Sequence, residues 1–294
     1  DGSFVHLDPL VAVVTNIDND HLDFHKTMDN LKRAFLEHLS RLPFYGAAVL
    51  CADDPVLRGL RAQVRAPVVD YGIARPALWQ ARHIRLDQNG SRFDAWHSGR
   101  HAAQVRLSVP GRHNVLNALA ALAAGRFLGF PLAGLVKGLG SFKGVGRRLD
   151  QLGRAGGIEF VDDYGHHPTE VRAAVEAVAT LWHARRTVVV FQPHRYSRTK
   201  LLAGEFGAAF KRADLVYVMD IYPAGERPIP GVSSRLILDS LRRGGVPCAP
   251  FTRSLDVLRE LRRGDAVLTL GAGDVWKTGM DLLRRVESEL ASPV

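Results

Sequence analysis

The sequence predicts an α/β protein in two parts, the second built on a doubly wound parallel sheet. Three observations carry this expectation. Short β-branched apolar runs alternate with helix-length amphipathic stretches along the 294 residues. Between residues 78 and 107 the pattern changes to apolar–polar alternation, the mark of an antiparallel meander. A glycine-rich stretch at 140–146 (GSFKGVG) then separates the parts, which places domains at 1–145 and 146–294.

Residues 11–15 (VAVVT) read as a buried strand. Thr27 opens a helix whose Met28, Leu31, Phe35 and Leu39 fall at helical spacing. Residues 47–51 form the next strand, Asp53-Asp54-Pro55 cap a helix running to about Gln63, and residues 67–71 are a third strand. In the meander, Ile84 and Leu86, Phe93 and Ala95, and Val105 and Leu107 are the core-facing pairs. Pro110-Gly111 ends it, and an alanine-rich helix follows from about His113 to Leu128. The second part offers strands at 158–161, 187–191, 215–218, 247–251 and 266–270. Helices at 168–181, 200–211, 233–243, 255–261 and 275–290 separate them.

Apolar residues make up 46% and charged residues 23%, enough to bury a normal core without metal or disulfide staples. The two cysteines, Cys51 and Cys248, lie far apart and lack metal-ligand spacing, which suits a reducing cytoplasm. No run of 18 apolar residues occurs, so no membrane partner is expected. The net charge of +9 favours anionic partners, but arginine dominates and comes in scattered pairs with no aromatic interleaving. Nucleic acid is therefore not expected as a partner.

Six motifs carry chemistry. TNIDNDHLDFH (15–25) follows the first strand; its acids and His21 could hold a divalent metal on phosphates, or form a solvated loop capping the next helix. PGRHNVLNALAAL (110–122) sets Asn114 and Asn117 on one helical face beside His113. Their amides match an adenine edge, or simply cap the helix. GVGRRLD (144–150) holds Arg147 and Arg148 between glycines, able to reach a nucleotide phosphate or to remain solvated in a linker. VDDYGHHPTEV (161–171) gathers two acids, a tyrosine and two histidines where a strand ends and Pro168 opens a helix, which favours a functional site. FQPHRYSRT (191–199) adds His194, Arg195 and Arg198, a cationic cluster suited to a carboxylate or phosphate, or else a basic surface loop. On a helical turn, Arg195 and Arg198 would point the same way. LGAGDVWKTG (270–279) lacks the third glycine and early position of a dinucleotide fingerprint and reads as a tight strand-to-helix turn, which argues against a Rossmann-type oxidoreductase.

Together with LPFYG (42–46) and YPAGE (222–226), these motifs resemble, in order and spelling, the Mur ligases of peptidoglycan synthesis over nearly the whole chain. The resemblance implies the remainder of a central ATPase-type α/β domain, then a Rossmann-like carboxy-terminal domain. It implies ATP and Mg²⁺ as cofactors, with UDP-N-acetylmuramate and L-alanine joined through an acyl phosphate. The related ligase that recycles murein tripeptide shares HHPT but not FQPHRYSRT, and remains an alternative. By resemblance His21 binds magnesium, and His113, Asn114, Asn117 and Asp163 bind the nucleotide. Arg147 or Arg148 reaches the ATP phosphates, and His166 joins them in catalysis. Tyr164, His194, Arg195 and Arg198 surround the amino acid. No G-x-x-x-x-G-K-[ST] loop occurs in the sequence. The expectation is a chain inactive alone, partnered by a missing amino-terminal domain of the same enzyme, or else a non-catalytic binding fragment.

Overall fold

In a computed structural model, residues 2–19, 22–182 and 184–291 are described. The chain divides into two compact units, Asp1–Lys143 and Gly144–Val294. His21, the expected magnesium residue, lies outside the described residues.

In the first unit β1 (Val11–Val14), β2 (Ala47–Cys51), β3 (Val68–Gly72), β4 (Trp79–Asp87), β5 (Gly90–His97) and β6 (Arg100–Leu107) follow one another across a single sheet. The first four are parallel, and β4–β6 form the antiparallel meander. The helices are α1 (Leu22–His25), α2 (Met28–Ser40), α3 (Pro55–Leu60), α4 (Arg112–Phe127) and α5 (Leu132–Ser141). Thr27 caps α2 by accepting from the Asn30 N–H, and Asp54 caps α3 by accepting from the Leu57 N–H. Asp53 does not cap a helix. Its carboxylate gathers the N–H groups of Ile73, Ala74 and Arg75 after β3.

Two features of this unit depart from the sequence pattern. The meander buries Trp79 and Ala81 of β4, whereas Leu86 is 36% exposed. A bulge between Arg82 and Arg85, with His83 at φ 52°, flips the phase of the alternation partway along the strand. Helix α5 was hidden by Gly134, Gly138 and Gly140, which lower local propensity. Its Leu132, Leu135, Val136 and Leu139 pack on the core, and that tertiary burial stabilises the helix.

The second unit carries β7 (Asp150–Ala155), β8 (Ile158–Asp163), β9 (Arg186–Phe191), β10 (Leu215–Val218), β11 (Cys248–Pro250) and β12 (Asp265–Leu270). Their order across the sheet is β11-β10-β9-β12-β8-β7. Five strands are parallel; β7, absent from the expected strands, is an antiparallel edge. Its DQLGRA sequence lacks an apolar alternation, and it is placed by pairing with β8 and by Gly153, where a Cβ would lie 2.7 Å from Leu283. Helices α6 (Pro168–Leu181), α7 (Tyr196–Leu202), α8 (Phe206–Ala209), α9 (Arg235–Arg243), α10 (Ser254–Leu258) and α11 (Trp276–Ala291) complete the unit.

Strand alternation splits the core in two. Val189, Phe191, Val216, Val218 and Leu268 pack with α6, α8 and α9 on one face. Phe160, Val188, Val190, Tyr217 and Val267 pack with α10 and α11 on the other. The chain runs through β8, β9, β10 and β11, then returns to insert β12 between β8 and β9. The helices after β8 and β12 therefore leave toward opposite faces, and a crevice opens at the carboxyl ends of these strands.

The closest helix packing in this unit rests on Gly207, where a Cβ would lie 2.4 Å from the Ser240 carbonyl oxygen. Gly207→Ala is expected to lower stability by about 1–3 kcal/mol through overpacking. The control Gly204→Ala, which meets nothing within 4 Å, should cost less. Urea unfolding midpoints of the two variants measure the difference; equal midpoints would contradict the packing account.

Candidate active site

The polar groups of the second unit converge at that crevice. Strand β8 ends in Asp162 and Asp163, both buried. Asp162 accepts from Thr269 Oγ1 of β12 at 2.6 Å and from Arg147 Nε at 2.9 Å. Asp163 accepts from the N–H groups of Leu149 and Gly165 at 2.9 and 2.7 Å. Burial pushes both carboxyls up, that of Asp163 to about 6, against the opposing pull of these hydrogen bonds. Asp163, expected at the nucleotide, is thus turned inward, where it shapes the loop that carries Tyr164 and His166.

His167 caps α6 in a reciprocal arrangement with Glu170, whose carboxylate accepts from the N–H groups of His166 and His167. This leaves the neighbouring His166 side chain at the site. Its Nδ1 lies 3.1 Å from the Tyr164 carbonyl oxygen and 3.5 Å from Glu170 Oε2. Because the carbonyl can only accept, Nδ1 carries the proton in the neutral ring.

His194 follows β9. Its ring stacks on Tyr222 at 5.6 Å and 8°, and lies 5.4 Å from the His166 ring. Arg198 Nη1 is 3.3 Å from His194 Nδ1. Burial first, then the charges of His166, Arg198 and Arg195, lowers the His194 pKa to about 4. The imidazole is therefore neutral at pH 7.

Arg195 and Arg198 do not share a helical face as the spacing suggested. Arg195 is the residue before α7, with φ 69° and ψ 139°, whereas Arg198 lies inside the helix. The helix starts at Tyr196, earlier than the expected residue 200, because Glu226 reaches from the next loop to accept from Ser197 N and Oγ. The sequence marks Tyr222 and Glu226 only through the YPAGE spelling after a strand end, with no individual role legible for either.

Arg147 and Arg148 separate clearly. The Arg147 guanidinium donates to Asp162 and to the carbonyls of Gly271 and Gly273, the last two at 2.6 and 3.0 Å. The Arg148 side chain is 46% exposed, against 25% for Arg147, and its closest acid is Glu170 at 3.8 Å. Both guanidinium groups lie over the Tyr164 ring, at 5.1 and 5.5 Å. After β12, residues 271–274 make the expected tight turn, and Gln192 fastens it by bonding Asp274 Oδ1 and the Val275 N–H.

In the first unit, His113 and Asn117 are exposed on α4 and Asn114 is half-buried. Asn114 donates its amide to the Pro110 carbonyl at 2.7 Å, which fixes its side-chain oxygen as the group available to accept from a ligand. Among the described residues, no group of three His, Cys, Asp or Glu side chains is arranged for a metal. No helix of the described residues is long and apolar enough to cross a membrane.

Comparison with known proteins matches the Mur ligase middle domain to residues 2–125 and the Mur ligase, glutamate ligase domain to residues 147–273. The UDP-N-acetylmuramate–L-alanine ligase of Endomicrobium trichonymphae is 46% identical over 283 residues, covering 96% of this chain and 63% of that protein. Its counterpart in Geobacter sulfurreducens is 43% identical, covering 98% and 63%. The chain thus spans a little under two thirds of the length of these relatives. Among solved structures, the UDP-N-acetylmuramate-alanine ligase of Thermotoga maritima has a TM-score of 0.77 at 25% identity, over 98% of this chain and 62% of that one. A Thermotoga maritima MurF ligase in complex with ADP shares the fold, with a TM-score of 0.73 at 20% identity over 96% and 63%. With both units matched in sequence and in fold, the chain belongs to the Mur ligase family.

Proposed function

We propose that this chain is the nucleotide- and amino-acid-handling portion of a cytoplasmic ligase that joins L-alanine to UDP-N-acetylmuramate using ATP. The observation that carries the reading is the crevice cluster: His194 stacked on Tyr222, faced by His166 and bonded by Arg198. Neutral imidazole beside arginine is what an amino-acid acceptor requires. The carboxylate of L-alanine is held by Arg198 with Arg195, since a planar fork suits a small carboxylate. His166, with its proton on Nδ1, presents Nε2 to take a proton as the ammonium becomes a nucleophile. Tyr164 and Tyr222, 36% and 37% exposed, wall the site.

Arg148, the more exposed of the pair, is the arginine for the transferred phosphate. In this reading the Asn114 oxygen, left to accept by the bond of its amide to Pro110, meets an adenine edge together with Asn117 and His113. When bound, ATP supplies the phosphoryl group that converts the lactyl carboxylate into an acyl phosphate. Magnesium would depend on His21 and on groups outside the described residues.

The chain by itself should release phosphate at least about a hundredfold more slowly than a chimera. That chimera carries the portion of the Endomicrobium trichonymphae relative that the chain does not cover, because phosphoryl transfer depends on a phosphate-cradling loop missing from this sequence. Phosphate release with ATP, magnesium, UDP-N-acetylmuramate and L-alanine is the measurement. A chimera inactive with all four would overturn the reading.

In that chimera, Arg198→Ala should reduce kcat/KM for L-alanine by ten- to a hundredfold, about 1.5–3 kcal/mol for one charge-assisted contact. Arg198→Lys should rescue only in part, because an ammonium does not form the fork. Varying each substrate separately tests this; a selective rise in the KM for ATP would reassign the arginine to phosphate.

The His194 pKa also makes a prediction. It is lowered from 6.5 to about 4, so the neutral ring contributes stability present above pH 6.5 and lost as pH falls through about 4. The ring-proton NMR titration of His194 should have its midpoint near 4. Any activity limb between pH 5 and 8 should survive His194→Gln, and loss of that limb would assign it to His194.

A further inference from the structure

Arg147 has more partners in the second unit than a substrate-binding arginine could spare. Its Nε bonds Asp162 at the end of β8, and its two terminal nitrogens bond the carbonyls of Gly271 and Gly273 after β12. Its own carbonyl accepts from the Tyr164 N–H at 2.7 Å, and its N–H donates to Asp150 Oδ2 at 3.3 Å. Its backbone takes φ 63°, a left-handed conformation rarely adopted by a non-glycine residue and held here by bonds on both sides.

The turn that Arg147 grips is packed against the site. At Gly273 a Cβ would lie 2.2 Å from Gln192 Oε1 and 2.7 Å from the Tyr222 ring. The backbone of the turn therefore rests directly on Tyr222, whose ring also stacks with His194. A shift of the turn toward the ring has no slack to absorb it, because packed interiors transmit displacement. On its other side Arg147 touches Tyr164, which carries the chain into His166.

We propose that Arg147 is a positioning residue: by binding Asp162, Gly271 and Gly273 together it sets the turn after β12, and through that turn the Tyr222–His194 stack. This rests on the functional reading above only for the consequence in turnover. Lysine cannot substitute, because one tetrahedral ammonium does not reach three acceptors spread around a planar fork.

The test compares Arg147→Lys with Arg148→Ala in the full 294-residue chain, without substrate. Amide hydrogen exchange is followed at residues 271–275 and 164–166, and the His194 ring is titrated by NMR. Arg147→Lys should accelerate exchange in both segments at least about tenfold, the scale of one lost local bond network, and move the His194 midpoint from about 4 toward 6.5. Arg148→Ala should leave exchange at 271–275 and the His194 midpoint unchanged, since the two glycine carbonyls are held by Arg147. Asp162→Asn, which keeps the fork and its two carbonyl bonds while removing the anion, should produce a smaller change in both readouts. It also serves as the test if Arg147→Lys fails to fold. Wild-type exchange and titration in Arg147→Lys, or equal effects from Arg148→Ala, would overturn the proposal. So would a His194 shift in Asp162→Asn with wild-type exchange at 271–275, which would assign the effect to charge instead of placement. In the chimera, Arg147→Lys should lower kcat with the KM for ATP unchanged; a selective rise in that KM would make Arg147 a phosphate contact. Failure of the ligase reading would appear separately, as absent turnover with the exchange and titration results intact.

Discussion

The insertion of β12 between β8 and β9 is the constraint on which the second unit depends. A strand laid down last, between two laid down earlier, sends its following helix to the opposite face of the sheet. That splits the core into two clusters and leaves a crevice at the carboxyl ends of three adjacent strands. Each strand then delivers one piece of the site: Tyr164 and His166 after β8, His194 after β9, and the turn at 271–274 after β12. Hydrogen bonds across the strand ends lock the insertion, with Thr269 of β12 bonding Asp162 of β8 and the Gly271 N–H bonding the Asp163 carbonyl.

Burying two adjacent carboxyls beneath a polar crevice is expensive unless each has partners. Asp162 has Arg147 and Thr269; Asp163 has two backbone N–H groups. Desolvation still outweighs these bonds in setting their pKa values, which stay above the usual carboxylate range. The acids that looked in the sequence like site chemistry are therefore mainly scaffold. The residues just beyond them, Tyr164 and His166, face the crevice.

The first unit follows a different logic. Its parallel strands β1–β4 continue without interruption into an antiparallel meander, so one sheet carries both pairing modes. Helix α4 packs against this sheet through Val115, Leu119 and Leu122 while leaving His113 and Asn117 exposed. One helix thus separates a buried stripe from a polar edge, the division of labour that amphipathic periodicity makes available.

The sequence by itself determined the α/β class, most strand positions, the start of α6 at Pro168 and the family. These depend on local periodicity, capping chemistry and motif order, all of which are written in contiguous residues. It also located the polar clusters at strand ends. Tertiary structure alone decided which members of each cluster face the crevice and which are turned into the fold. Arg147 and Arg148 are adjacent and chemically identical, and what distinguishes them is the bonding of Arg147 to Asp162 and to the carbonyls of Gly271 and Gly273, the last two more than 120 residues away. Strand β7 and helix α5 were likewise illegible, because each forms through contacts with residues that its own spelling does not announce. Arg195 left the helical face it was expected to share with Arg198 because Glu226, 31 positions later, set where α7 begins. Pairing across sequence distance, with the burial it brings, has no signature in any single window of the chain.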